Sequence, residues 1–272
     1  MNRLLPFFTL LISIISLTGC GQSTSEKLVL TGSSTVAPLV SEIALRYESQ
    51  HPGIRIDVQT GGSSRGVNDT RSGLADIGMV SRSLKTSEED LSANIIAWDG
   101  ITLILHQDNP VTALTRQQVI DIFTGKVQNW REVGGKNEAI VVVNKAEGRS
   151  TLELFLKHFG LKNSDVDADI IIGDNQQGLK TVAGNPLAIG YVSIGAAAYE
   201  FEHGAPINLL AINGVEATLA NVEKGVFPIA RPLNLIIKDS DSKLATDFIA
   251  FAQSSKVNDL ILNQYFIPAN AN

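Results

Sequence analysis

Apolar and polar positions along the chain change period repeatedly, and each change marks an element. Residues 28–30 form a short apolar run suited to a buried strand, which feeds the turn Thr31-Gly32-Ser33-Ser34-Thr35. Beyond it Val36, Leu39, Val40, Ile43, Ala44 and Tyr47 recur at helical spacing, predicting a helix over 36–50 that Pro52-Gly53 stops. Ile54, Ile56 and Val58 alternate as a strand. A short helix over 66–72, a strand over 76–80 and a long extended run over 95–106 follow. The rhythm then restarts, with helices at 115–123, 151–158 and 177–183 and strands at 139–143, 170–172 and 188–192. Residues 228–237 are extended again, and the spacing predicts terminal helices over 241–254 and 257–263.

Strands alternating with helices indicate sheets with crossover helices, hence an α/β fold. The restart indicates two α/β domains with mixed sheets, joined by crossing strands and leaving a ligand cleft between them. Residues 27–104 and 227–272 are assigned to domain I and 105–226 to domain II. Ligands of open α/β sheets bind outside the carboxyl ends of the strands. Three small polar turns fall there: Thr31-Gly32-Ser33-Ser34-Thr35, Gly61-Gly62-Ser63-Ser64-Arg65-Gly66 and Glu147-Gly148-Arg149-Ser150-Thr151, each ahead of a predicted helix.

The first 26 residues stand apart. Arg3 precedes an apolar stretch over 4–17 that is too short to read as a spanning helix, so 1–19 read as a signal peptide. The stretch ends in Leu17-Thr18-Gly19-Cys20, which looks like a bacterial lipobox, where cleavage precedes the Cys and a lipid joins its sulfur. Cys20 is then the lipidation site, 20–26 a polar tether, and the protein anchored rather than spanning. The chain has a single cysteine, so a disulfide within it, a cysteine metal site and a catalytic thiol are all excluded from the folded part.

With 44% hydrophobic and 18% charged residues, the 272-residue chain is globular. A net charge of −6 without a Lys/Arg run argues against nucleic acid and anionic membrane surfaces as partners. His51, His106, His158 and His203 are too scattered for a metal site, and neither a nucleophile elbow nor a nucleotide fingerprint occurs. No cofactor or metal is expected.

The three turns carry the chemistry. A helix N-terminus presents unpaired N–H groups and roughly half a positive charge, so three of them supply roughly +1.5. That suits a divalent oxyanion completed by an arginine. Ser and Thr hydroxyls add donors without charge and can also accept a proton from a partly protonated anion. The competing reading is that each Ser or Thr merely caps its helix.

The same stretches, with Ala75-Asp76-Ile77-Gly78-Met79-Val80-Ser81-Arg82, residues 114–135 (LTRQQVIDIFTGKVQNWREVGG) and Asn185-Pro186-Leu187-Ala188-Ile189-Gly190-Tyr191, resemble the phosphate-binding lipoproteins that serve bacterial ABC phosphate importers. The likeness covers essentially the whole mature chain and implies a class II periplasmic-binding-protein fold. It implies inorganic phosphate held dry between the domains, ABC transporter permease subunits as partners, a monomer, and a place on the periplasmic or extracytoplasmic face of the cell envelope. Carried over by position, Ser34, Thr35 and the N–H of Val36 form the first ligand turn, Ser63 and Ser64 the second, Ser150 and Thr151 the third. Two departures stand out. Ser81-Arg82 replaces an Asp that in many members accepts the phosphate proton. Lys145 takes the place of an Arg, and Arg149 stands where the family usually has Ser. The cation is therefore expected to have migrated to Arg149, with Arg82 as the second candidate and Lys145 contributing less. Asp99, on the crossing run, is a candidate proton acceptor or a turn cap. Phosphate is the expected ligand. Another tetrahedral oxyanion such as sulfate, a sensing role beside a membrane kinase, and a secreted phosphoesterase are the alternatives.

Overall fold

The computed structural model describes residues 26–238 and 242–270. The leader, Cys20 and most of the tether lie outside them. Domain I opens with β1 (Glu26–Gly32), α1 (Ala37–Gln50), β2 (Ile54–Thr60), α2 (Ser63–Ser72) and β3 (Ile77–Val80). Strand β1 lies between β2 and β3, parallel to both, with Leu28 opposite Ile56 and Leu30 opposite Ile77. The predicted helix at 66–72 begins three residues earlier. Gly62, with φ of 93°, turns the chain directly into the helix and draws Ser63 and Ser64 into its first turn.

Strand β4 (Leu91–His106) is sixteen residues long and belongs to both domains. Next come β5 (Ala113–Leu114), α3 (Arg116–Phe123), β6 (Val141–Lys145), α4 (Ser150–Phe159), β7 (Ile170–Ile172), α5 (Asn175–Ala183) and β8 (Ala188–Ser193). Then follow α6 (Ile194–Glu202), β9 (Ile207–Leu209), β10 (Ala211–Ile212) and α7 (Leu219–Glu223). The chain returns through β11 (Ala230–Lys238) and finishes with α8 (Lys243–Ala252), α9 (Asn258–Asn263) and β12 (Ile267–Pro268). Helix α6 is absent from the periodicity reading. Its Ile194-Gly195-Ala196-Ala197-Ala198 start is small and apolar on every side, and it leaves β8 with no intervening loop, so no change of period announces it.

The sheet runs β2-β1-β3-β11-β4-β8-β6-β7. Strand β11 is antiparallel to both β3 and β4. The first part of β4 pairs with β11, from Leu91 to Gly100, and the remainder with β8, from Ile101. Strand β8 is parallel to β6, and β6 to β7. The change of partner coincides with a change of core. Ile96 and Ala97 pack with Leu28, Leu39, Phe248 and Leu235. Ile101 and Leu103 pack with Phe123, Phe155, Tyr191 and Trp130. Gly100 stands at the switch because a Cβ there would come within 2.6 Å of Ile194 and 3.0 Å of Val222. Beside it the N–H of Ile101 donates to the carbonyl of Ile229 at 2.9 Å, so the two crossing segments are laced together.

Candidate anion-binding site

Helix caps discriminate between the two readings of the polar turns. Helices α3, α5, α6, α7 and α8 are capped by side chains of Thr115, Asp174, Ser193, Thr218 and Ser242. Helices α1, α2 and α4, the three behind the polar turns, have Val36, Gly62 and Arg149 at their N-caps and no side-chain cap. Among the hydroxyls of those turns Ser33 makes a cap-like bond, accepting from the N–H of Thr35 at 3.2 Å, and the others are free of the capping task. Thr35 and Thr151 converge, buried, on one point, and Ser63 reaches it through Ser81.

That point is Arg231, which is 1% exposed and lies on β11 directly opposite Asp99 of β4. Its Nε and Nη2 donate to one Asp99 oxygen at 3.0 and 2.8 Å, and both side chains of the pair are fully buried. The rest of the guanidinium fans outward. Nη2 donates to Thr35 Oγ1 at 3.2 Å, and Nη1 to Thr151 Oγ1 at 3.0 Å and Ser81 Oγ at 3.3 Å. Asn175, at the start of α5, donates from Nδ2 to the same Thr35 oxygen at 3.0 Å. Ser33 donates to Ser81 Oγ at 3.0 Å, and the N–H of Ser81 donates to Ser63 Oγ at 3.2 Å. The first and second turns thus meet at the end of β3, and the third turn reaches them from domain II. Among the described contacts the N–H of Val36 has no partner.

This network sets the direction of the hydroxyls. Thr35, Ser81 and Thr151 already accept from cationic or amide donors, so their protons point elsewhere. A hydroxyl that accepts from a guanidinium is a polarised donor, matched to an anion. Ser150 Oγ is buried without a partner, and so is Nε of Arg149, whose side chain passes Gly62 of the second turn on its way to Gly173. Gly62 must lack a Cβ here, since one would stand 2.9 Å from Arg149 Cδ and 2.7 Å from the Gly148 carbonyl. Ser64 is half-buried and reaches the third turn by donating its N–H to that carbonyl at 3.2 Å. Ser34 is half-buried beside them.

Two expectations change. Arg82, the second candidate cation, is withdrawn from the cluster. Its guanidinium donates to both oxygens of Glu88 at 2.7 and 2.8 Å, and Nε stands 3.1 Å from Glu153. Two carboxylates already neutralise it, so it has little left to give an anion. Lys145, expected to matter less than Arg149, is the more deeply buried of the two and ends β6 with its Nζ on the main-chain carbonyl of Asp174, the residue before Asn175. Asp99 is near the site, but its carboxylate faces Arg231 and the N–H of Gly195 at 3.2 Å.

Arg231 and Asn175 were not singled out from the sequence. One signal points to Arg231: Asp99 lies in an apolar crossing strand, a buried carboxylate requires a cation, and the second crossing strand carries one arginine. Asn175 offers no such signal, because next to Asp174 it reads as part of an ordinary helix cap.

An open groove of about 880 Å³ lies elsewhere, lined by Ile194, Ala198, Phe201, Leu209 and Tyr265 together with Glu202 and Glu216. Its wall is largely apolar and its nearest charges are acidic, so it offers an anion nothing. Among the described residues no acidic, His or Cys group could hold a metal ion, and no helix is long and apolar enough to cross a membrane.

Comparisons with known proteins bear on the family and the fold. A family model described as PBP superfamily domain matches residues 20–256. The phosphate-binding protein PstS of Bacillus subtilis (strain 168) is 28% identical over 91% of this chain and 82% of its own. The phosphate-binding protein PstS of Borreliella burgdorferi is 26% identical over 94% and 95%. Among solved structures, a putative phosphate ABC transporter substrate-binding protein with bound phosphate, from Clostridium perfringens, superposes with a TM-score of 0.84 and 32% identity, covering 90% of this chain and 100% of that one. An ABC-type phosphate transport receptor from Vibrio cholerae gives 0.72 and 31%, covering 88% and 99%.

Proposed function

Since the chain belongs to the PBP superfamily, we propose that it is an extracytoplasmic receptor that binds inorganic phosphate between its domains and delivers it to the permease subunits of an ABC transporter. The observation that carries this reading is the meeting of the polar turns at one buried arginine: Thr35 and Thr151 accept from Arg231 directly, and the second turn joins them through Ser81 and Ser63. The full-length likeness to PstS proteins and to a phosphate-bound substrate-binding protein supports it. In this reading Thr35, Val36, Ser63, Ser81, Arg149, Ser150, Thr151, Arg231 and Asn175 contact the anion, and Ser34 and Ser64 border it.

The site reads as a receptor rather than an enzyme. Its hydroxyls are oriented by Arg231 and Asn175, and none of them is hydrogen-bonded to a histidine that could take a proton. A division into two parts is supported by the two cores. They change over between Gly100 and Ile101 and again after Ile229, so residues 101–104 and 227–229, assigned from the sequence to the part formed by 27–104 and 227–272, pack instead with the part assigned as 105–226. Closure of the two domains on each other buries the anion. Micromolar capture or better, about −8 kcal/mol or more, is within reach of such a site.

The direct test is calorimetry of the anion-stripped protein against phosphate and sulfate. Thr35→Val and Ser63→Ala should each weaken phosphate binding by roughly tenfold or more, since a hydrogen bond to a charged partner contributes ~1.5–3 kcal/mol. Parental affinity in both variants would sink the three-turn site. The anchor is tested separately. Cys20→Ser should move folded, phosphate-binding protein from the membrane fraction to the soluble one, and unchanged membrane retention would refute lipidation at Cys20.

A further inference from the structure

Lys145 is 3% exposed, yet its Nζ donates to one partner, the main-chain carbonyl of Asp174 at 3.2 Å. An ammonium carries three donors, so two remain unmatched. The charged groups around it explain why. Arg231 on β11 and Arg149 at the mouth of α4 are both cationic. The Asp174 carboxylate is turned away to cap α5, accepting from the N–H of Gln177 at 2.8 Å. On the neighbouring strand, Tyr191 gives its hydroxyl proton to Asn144, and burial pushes its phenol up, so it stays neutral. Burial, then the charge of Arg231, hold Lys145 down to about 7, with Asp174 opposing and Arg149 adding to the effect.

An amine that has lost its proton can accept a hydrogen bond. The cluster is short of acceptors. The two buried carboxylates among the described residues, Asp99 and Glu88, are both closed by arginines. Thr35 and Ser81 each already accept from two donors and are left to donate, while Thr151 accepts from one. Ser150 has a free hydroxyl, but it does not titrate.

We propose that Lys145, as a neutral amine, accepts the hydrogen bond from the protonated oxygen of hydrogen phosphate and is the residue that separates phosphate from sulfate. This rests on the phosphate reading above. The proton balance differs between the two anions. Hydrogen phosphate brings its own proton, which the O–H and the amine share, so nothing is drawn from solvent. Sulfate has no proton, and its oxygen can face Lys145 only after the amine takes one from water. Above neutrality that step becomes tenfold harder with each pH unit.

The test is calorimetry of the anion-stripped full chain with phosphate and with sulfate at pH 7, 8 and 9, in two buffers of different ionisation enthalpy. Sulfate affinity should fall roughly tenfold per pH unit, with uptake approaching one proton per anion, while phosphate affinity changes by less than about threefold with little uptake. Lys145→Arg, whose charge is permanent, should bind sulfate with little dependence on pH. Lys145→Met should lose the growth of selectivity with pH. A phosphate-to-sulfate ratio that is constant from pH 7 to 9 in the parent overturns the role of Lys145 while leaving the phosphate reading intact. So does a Lys145→Met protein that keeps the parental pH dependence. Absence of phosphate binding at every pH overturns both.

Discussion

Arg231 shows what a single residue can do when two strands bring it opposite the right partner. Asp99 holds the guanidinium by one edge, leaving the opposite edge to fan across Thr35, Ser81 and Thr151. Lysine in its place keeps the charge but has no planar fork. Arg231→Lys should therefore stay folded, with Asp99 still paired, and bind phosphate about tenfold to a hundredfold more weakly, as lost charged hydrogen bonds contribute ~1.5–3 kcal/mol. Calorimetry together with thermal unfolding checks both halves of that statement. Arg231→Ala is a poorer probe, because it strands a buried carboxylate at a cost of about 3–5 kcal/mol. The sequence singled out the hydroxyls of the proposed site and not the arginine at its centre. Ser63 and Thr151 sit in local turns that a short window exposes, whereas Arg231 and Asp99 are 132 positions apart and meet only through strand pairing.

At the scale of elements, long periodic segments were legible and short or featureless ones were not. Helix α1 shows its face at Leu39, Val40, Ile43 and Tyr47 and was readable almost to the residue, while α6 and the two-residue strands β5 and β10 were invisible. Arg82 was misjudged for a related reason: its neighbourhood depends on a single short turn. The 3₁₀ turn Thr86–Glu88 folds Glu88 back onto Arg82, and nothing in the local pattern separates such a carboxylate from a solvated one. Burial pushes the Glu88 carboxyl up, but hydrogen bonds from Arg82 and from the N–H of Lys85, with their charges, outweigh it and leave it below its ordinary value. A carboxyl depressed in the folded state stabilises above its unfolded value and loses that contribution as pH falls through its folded one. Glu88→Gln should cost about 3 kcal/mol near neutrality, because it leaves a buried arginine half paired. Urea unfolding at neutral pH and near pH 3.5 should show the two proteins converging in acid; an equal gap at both would contradict this account of the pair.

For the whole molecule, the site ties together two cores that are also joined by β4, by the segment before β11 and by the ion pairs of Arg82 and Lys85 with Glu153. Thr35, Ser63, Ser81 and Arg231 come from the side of the sheet that holds β1, β3 and β11, and Lys145, Arg149, Thr151 and Asn175 from the side that holds β6 and α5. An anion that contacts both sets stabilises the joined state by mass action. Phosphate at about a hundred times its dissociation constant should add ~2.7 kcal/mol, which for a chain of this size raises the unfolding midpoint by roughly 5–10 °C. Scanning calorimetry with and without phosphate measures the shift, and sulfate at pH 9 should give much less. The two-domain plan itself was legible, because the β-α rhythm restarts visibly after 106. The place of crossover was less so. It is set by Gly100, which reads in sequence as one more glycine and in space as the position that leaves room for Ile194 and Val222.

The position of β11 has one further consequence, for the order in which the chain can fold. This strand is inserted between β3 and β4, so both of those strands lack their shared neighbour until residues 230–238 arrive. The domain built from 101 to 229 is continuous and can assemble as the chain emerges, whereas the other must wait with open sheet edges for the last sixth of the sequence. Pairings so distant in sequence close slowly. Because β11 also carries Arg231, the arginine at the centre of the proposed site arrives with the same late event that closes the sheet. On the proposed site, a chain able to hold phosphate has already closed this sheet, whereas one without residues 230–238 leaves the facing edges of β3 and β4 open.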